Sequence, residues 1–111
     1  MHARVTQFTV PPEKLNEFIE SMSSSVPLMR QQKGFQALFV LRVEGSNPPD
    51  VRVMTMWESQ QALRDSENNL YFYQALSRAL AFAKGFPLMR EEEVVLRDFV
   101  KLTAAAAAGS S

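Results

Sequence analysis

The run from Phe35 to Val43 constrains this chain more than any other segment. Read as a strand, it places Ala37, Phe39, Leu41 and Val43 on one face and Leu38 and Val40 on the other. A sheet buried on one side only alternates apolar with polar residues. This run does not alternate, so both of its faces need cover. Residues 94–101 read the same way, with Val94 and Leu96 on one face and Val95 and Phe99 on the other. Two helices can close one side of such a sheet, and the second side calls for another layer.

Apolar spacing locates those helices. A β-branched and aromatic strand at residues 3–10 ends at Pro11-Pro12, and Pro12 suits a first helical turn, where its missing N–H has no partner to lose. Leu15, Phe18, Ile19, Met22, Val26 and Met29 then recur on one helical face. Pro27 should kink or split that helix. Gly34 permits the turn into strand two, and the loop from Gly45 to Asp50 precedes strand three, Val51 to Met56. Ser59 is the candidate N-cap of the next helix. Asn68-Asn69 marks a break in it. Phe72, Leu76, Ala79, Leu80 and Ala83 continue a buried stripe until Gly85 and Pro87 close the helix. With the fourth strand at residues 94–101, the order is βαββαβ. The tetrapeptide Pro-Leu-Met-Arg occurs at 27–30 and 87–90, each time ahead of a strand. Two duplicated βαβ halves or two similar helix exits account for it equally well.

The chain is 111 residues long, which suits one domain, residues 1–102, followed by an Ala-rich low-complexity tail at 103–111. Twelve basic and twelve acidic residues cancel, so no broad field attracts nucleic acid or an anionic lipid surface. There is no cysteine, and His2 is the sole histidine, which excludes disulfides, thiolate centres, histidine triads and zinc clusters. The glycines are too scattered for a phosphate-binding loop. Glu91-Glu92-Glu93 reads as a solvated strand entrance rather than a metal cluster. No apolar run approaches the ~18 residues of a membrane span, and the cytoplasm is the expected compartment.

Two segments carry a family resemblance. Trp57-Glu58-Ser59 closes the apolar third strand and is followed by Leu63 and Phe72. Upstream, Val26-Pro27 ends a helix, and Lys33-Gly34-Phe35 opens strand two. Their order and spacing resemble the antibiotic biosynthesis monooxygenase (ABM) family over roughly residues 3–101. The resemblance implies an α+β, ferredoxin-like βαββαβ fold with a four-stranded antiparallel sheet, two copies of which form a dimeric α/β barrel. It implies a homodimer with a small-molecule pocket between the sheet and the second helix.

Two activities are known for such pockets. Haem-degrading members use a strand-one asparagine, a tryptophan nine residues after the Trp-Glu-Ser tryptophan and a histidine nineteen after it. Here those last two positions are Ser66 and Leu76, and strand one has no asparagine. The haem reading fails at all three places. Other members oxygenate quinols, anthrones or related aromatics without metal or flavin, and many carry a histidine where Ser66 stands. Serine is no base near neutrality without help, which leaves Tyr71, Tyr73, Asp65 or Asp98.

On a continuous helix Ser66, Asn69, Tyr73 and Leu76 fall near one face. With Gln7 and Arg97 as inward strand residues, they would line the pocket. Tyr73 or a buried carboxylate is the expected base and Arg97, flanked by Val95 and Phe99, the expected stabiliser of a phenolate or enolate. Trp57 either stacks on substrate or packs under the second helix with its indole N–H on the backbone. The expected protein binds an aromatic or quinone-like molecule with no cofactor and no metal. It is either a cofactor-independent monooxygenase or a non-catalytic, small-molecule-binding or structural homodimer.

Overall fold

The computed structural model describes residues 1–98. Its elements are β1 (His2–Thr9), a 3-10 turn (Pro12–Lys14), α1 (Leu15–Arg30), β2 (Phe35–Arg42), β3 (Asp50–Trp57), α2 (Gln60–Glu67), α3 (Leu70–Phe82) and β4 (Lys84–Glu93). The strands form one sheet in the order β2-β3-β1-β4, with every neighbouring pair antiparallel. The fold is ferredoxin-like, with its second helix divided in two.

Cross-strand register separates the two faces. His2, Arg4, Thr6 and Phe8 of β1 share a face with Trp57, Thr55, Val53 and Val51 of β3, and Leu38 and Val40 of β2 join them. The helices cover this face. Phe8, Val10, Val51 and Val53 pack with Phe18 and Met22 of α1 and Ala79 of α3. The Phe8 and Phe18 rings meet edge to face at 5.1 Å. At the other end of the sheet, Trp57 packs with Met29, Leu63 and Tyr71. The opposite face carries Ala3, Val5 and Gln7 of β1, Met54 and Met56 of β3, Phe39 and Leu41 of β2, and Leu88 of β4. No helix among the described residues lies on it, although Ala3 and Val5 are buried at its centre. Phe39, Leu41 and Leu88 are exposed there.

Local chemistry explains most of the boundaries. The Ser59 hydroxyl accepts from the Ala62 N–H at 3.1 Å and caps α2 as its residue type suggests. The Asn68-Asn69 break is real, since α2 ends at Glu67 and α3 begins at Leu70. Pro27 does not split α1. Ser23, whose carbonyl loses its helical partner to Pro27, lies like Pro27 on the exposed side, where water can satisfy it.

The fourth strand differs from expectation. It lies at Lys84–Glu93, and residues 94–98 follow it without strand structure. Gly85 and Pro87 therefore belong to a strand and do not simply close a helix. Pro87 is tolerated because β4 pairs only with β1, at the sheet's edge. Between two paired positions β4 advances from Leu88 to Lys84 while β1 advances only from Gln7 to Thr9, a bulge that includes Gly85 at φ +73°. The two Pro-Leu-Met-Arg copies thus end in different structures, a helix terminus and a strand. Phe99, the rest of the expected strand, the boundary at 102 and the tail lie outside the described residues.

Gly34 is the tightest joint in the fold. It sits at φ +83°, and a Cβ there would lie 2.6 Å from the Ala62 Cβ. Its carbonyl accepts from the Glu58 N–H at 2.7 Å, tying the entry to β2 to the end of β3. Gly34→Ala should therefore combine a left-handed backbone penalty with overpacking against α2. Together these cost about 2–4 kcal/mol, measurable as a lower midpoint at unchanged slope in urea denaturation.

Candidate functional site

Between the helix-bearing face of the sheet and α1 and α3 lies a cavity of about 60 Å³. Its floor is Thr6, Phe8, Val53 and Thr55 from the two central strands, and its roof includes Met22, Tyr71, Ala75 and Leu76. The lining is mostly apolar, and the only charged side chain in it is Arg4.

Arg4 is 5% exposed although it sits on the central strand. A cation so placed must be compensated by its surroundings. One Nη donates to the Leu63 carbonyl at 3.2 Å and to the Glu67 carboxylate, both on α2. The guanidinium carbon lies 4.6 Å from the centre of the Phe72 ring, an attractive cation–π geometry. Arg4 Nε is buried with no hydrogen-bond partner.

The Tyr71 hydroxyl meets Ser66 and Arg4, both of which favour its ionised form. Burial outweighs them and pushes the Tyr71 pKa above the ordinary 10.0. Tyr71 is therefore a neutral phenol near neutrality, a hydrogen-bond donor rather than a base. Ser66 is itself buried, and its hydroxyl donates to the Leu63 carbonyl at 2.6 Å.

The residues expected from sequence are only partly brought together. Leu76 lines the cavity and Ser66 supports it through Tyr71. Gln7 points to the opposite face of the sheet, paired across to Arg52 and Leu88. Tyr73 is 57% exposed and borders a shallow groove with Leu70, Gln74, Ser77 and Arg78. Asn69 stands at the N-cap position of α3 without a capping side-chain hydrogen bond and donates instead to the Gln32 side chain at 2.7 Å, in a polar cleft with Ser66 and Asp65. Trp57 is fully buried behind the cavity, and its indole N–H donates to the Thr55 hydroxyl at 3.0 Å rather than to backbone. Arg97 lies beyond the last strand, in a surface depression with Met1, Gln36, Glu58 and Val94.

Two physical causes account for these displacements. Moving β4 upstream removes Arg97 from any strand position. The Asn68-Asn69 break resets the helical phase, so Tyr71, Ala75 and Ala79 turn inward and Tyr73 turns out. The buried charge of Arg4 is not singled out by motif spacing; its period-two alignment with Thr6 and the core residue Phe8 is the signal that places it inside.

The ABM family model matches residues 1–78, from β1 into α3 and through Arg4, Ser66 and Tyr71. The chain belongs to the antibiotic biosynthesis monooxygenase family. Solved structures agree on its fold. A putative ABM protein from Caulobacter crescentus superposes with a TM-score of 0.74 at 19% identity, covering 86% of this chain and 90% of that one. An asparagine-to-alanine variant of SnoaB, a cofactor-independent oxygenase from Streptomyces nogalater, gives 0.74 at 17% identity, covering 86% and 94%. A protein of unknown function from Nitrosomonas europaea gives 0.72 at 15%, covering 90% and 94%. Among curated proteins no sequence matches. No helix among the described residues of this ABM protein is long and apolar enough to cross a membrane. Nor do those residues include a cluster of three or more His, Cys, Asp or Glu able to hold a metal ion.

The raised Tyr71 pKa has a stability consequence. The folded chain favours the neutral phenol, so this contribution is complete below 10.0 and is lost as pH rises through the higher folded value. In a Tyr73→Phe background, ultraviolet titration of the remaining tyrosine should show ionisation displaced above 10.0. Alkaline unfolding should then accompany it.

Proposed function

We propose that this ABM-family chain binds a small aromatic or quinol-type molecule beneath α3 and oxygenates it without metal or flavin, working as a homodimer. The observation that carries this reading is the buried Arg4 guanidinium beside the Tyr71 phenol in an otherwise apolar cavity. Such a pair can hold an oxyanion away from water, where fixed charge and hydrogen-bond donors act most strongly. The description of SnoaB as a cofactor-independent oxygenase supports the same chemistry.

The cavity lining holds neither carboxylate nor imidazole, so a suitable substrate is one acidic enough to ionise by itself. Its anion supplies the electrons that reduce O₂. One oxygen atom remains on the oxidised carbon, and the other leaves as water with the two hydrogens that the substrate loses. In this scheme Arg4 stabilises the negative charge on the substrate oxygen, and the Tyr71 hydroxyl donates a hydrogen bond to it. Arg4 thereby takes the role that the apolar neighbours Val95 and Phe99 suggest for Arg97 in the sequence.

A non-catalytic binding protein is the second reading. The same missing base favours it, as does the cavity's size, about 60 Å³ against the ~150 Å³ of an engineered cavity that binds benzene. Oxygen uptake with an anthrone or quinol, without added metal or flavin, separates the two. Arg4→Met should lower uptake about 10-fold or more, the scale of losing ~1.4 kcal/mol of anion stabilisation. Arg97→Met serves as the comparison. Absence of uptake by the native protein across a panel of ionisable aromatics would favour the binding protein.

The homodimer reading rests on the exposed apolar side chains of the helix-free sheet face. Phe39, Leu41, Val43 and Leu88 are all exposed on or beside it, and Met54 and Met56 lie among them. Stable dimers with such interfaces bury ~2,000 Å² or more in total. Light scattering at micromolar concentration should give twice the monomer mass, and Leu41→Lys should shift it toward the monomer.

A further inference from the structure

Arg4 can be approached from two sides. Glu67 reaches it from α2 and does not line the cavity. A bound ligand would reach it from within. Two anions on one buried guanidinium leave a net negative charge in a poorly solvated place, which is unfavourable. A neutral ligand creates no such conflict.

The two partners differ in how easily they can leave. Arg4 is 5% exposed and held by the Leu63 carbonyl and the Phe72 ring, whereas the Glu67 side chain is 35% exposed. Glu67 is also the last residue of α2, ahead of the Asn68-Asn69 break. Helix ends fray easily, and a carboxylate there can rotate into water at little desolvation cost. The buried Arg4 Nε, without a hydrogen-bond partner, offers a further donor for an incoming oxygen.

We propose that Glu67 is an internal counterion latch, and that the cavity selects anionic aromatic ligands (phenolate, enolate or carboxylate) which displace the Glu67 carboxylate from Arg4. The inference rests on reading this cavity as a ligand site and adds the charge of its ligand and the residue that competes with it. In the resting chain the latch neutralises Arg4. When an anion binds, Glu67 turns outward and the Arg4 charge is transferred to the ligand.

Benzoate and its neutral isostere benzamide test this by NMR titration of the full chain near neutral pH. Glu67→Gln keeps an amide oxygen for Arg4 but removes the competing charge. It should tighten benzoate roughly tenfold, a change well resolved in such a titration, and leave benzamide within about twofold. Glu67→Ala should act in the same direction, covering the case in which the glutamine variant folds poorly. An unchanged or weakened ratio of benzoate to benzamide binding in both variants would overturn the latch while leaving the site standing. Failure of both ligands to bind the native chain and both variants would remove the site itself, and the latch with it.

Discussion

A buried positive charge organises this end of the molecule. Arg4 stands on the central strand, under a helical layer, where no cation persists without partners. Its partners come from three places: the Leu63 carbonyl, the Glu67 carboxylate and the Phe72 ring. These lie on α2 and α3, so satisfying one side chain fixes both halves of the broken helix against β1. Tyr71 then has nowhere to turn except beside Ser66 and the guanidinium. The apolar core built on Phe8 and Phe18 continues the same cavity, since Phe8, Met22, Val53 and Ala79 belong to both. Stability and site geometry therefore draw on the same sheet face and share several side chains.

Much of the architecture is legible in the amino-acid order because local preference and tertiary need agree there. The first strand, the stripe of α1, the Ser59 cap and the Asn68-Asn69 break all follow from spacing and residue type. The fourth strand is not legible. Lys84–Glu93 contains glycine, proline and a glutamate triplet, all weak strand formers, while the β-branched segment after it looks far better. An edge strand needs little intrinsic preference when its neighbour supplies the hydrogen bonds, and pairing with β1 decides the outcome. The identical Pro-Leu-Met-Arg segments make the same point, since context turns one into a helix end and the other into strand.

The site is legible in proportion to how directly it follows from that order. Ser66 and Leu76 occupy positions that motif spacing singles out; Leu76 lines the cavity and Ser66 meets the Tyr71 hydroxyl. Tyr73 and Tyr71 differ by two residues, and only the interruption of the helix decides which faces inward. A periodicity count carried across the break assigns the wrong one. Arg4 is missed for another reason: charge on a strand is ordinarily taken as a sign of solvent. Its alternation with Thr6 and Phe8 says otherwise.

The bulge in β4 bears on how copies of this chain can meet. A regular edge strand offers a continuous row of amide and carbonyl groups on which further strands can be added, one molecule after another. Here that row is interrupted by the Gly85 kink and by Pro87, which has no N–H to offer, and its remainder carries Arg90 and three glutamates. Lateral growth along this edge is an open-ended process, the route to fibres. Contact through a face ends once that face is covered. The fold thus spoils this edge for strand addition while Phe39, Leu41 and Leu88 stay exposed on the face.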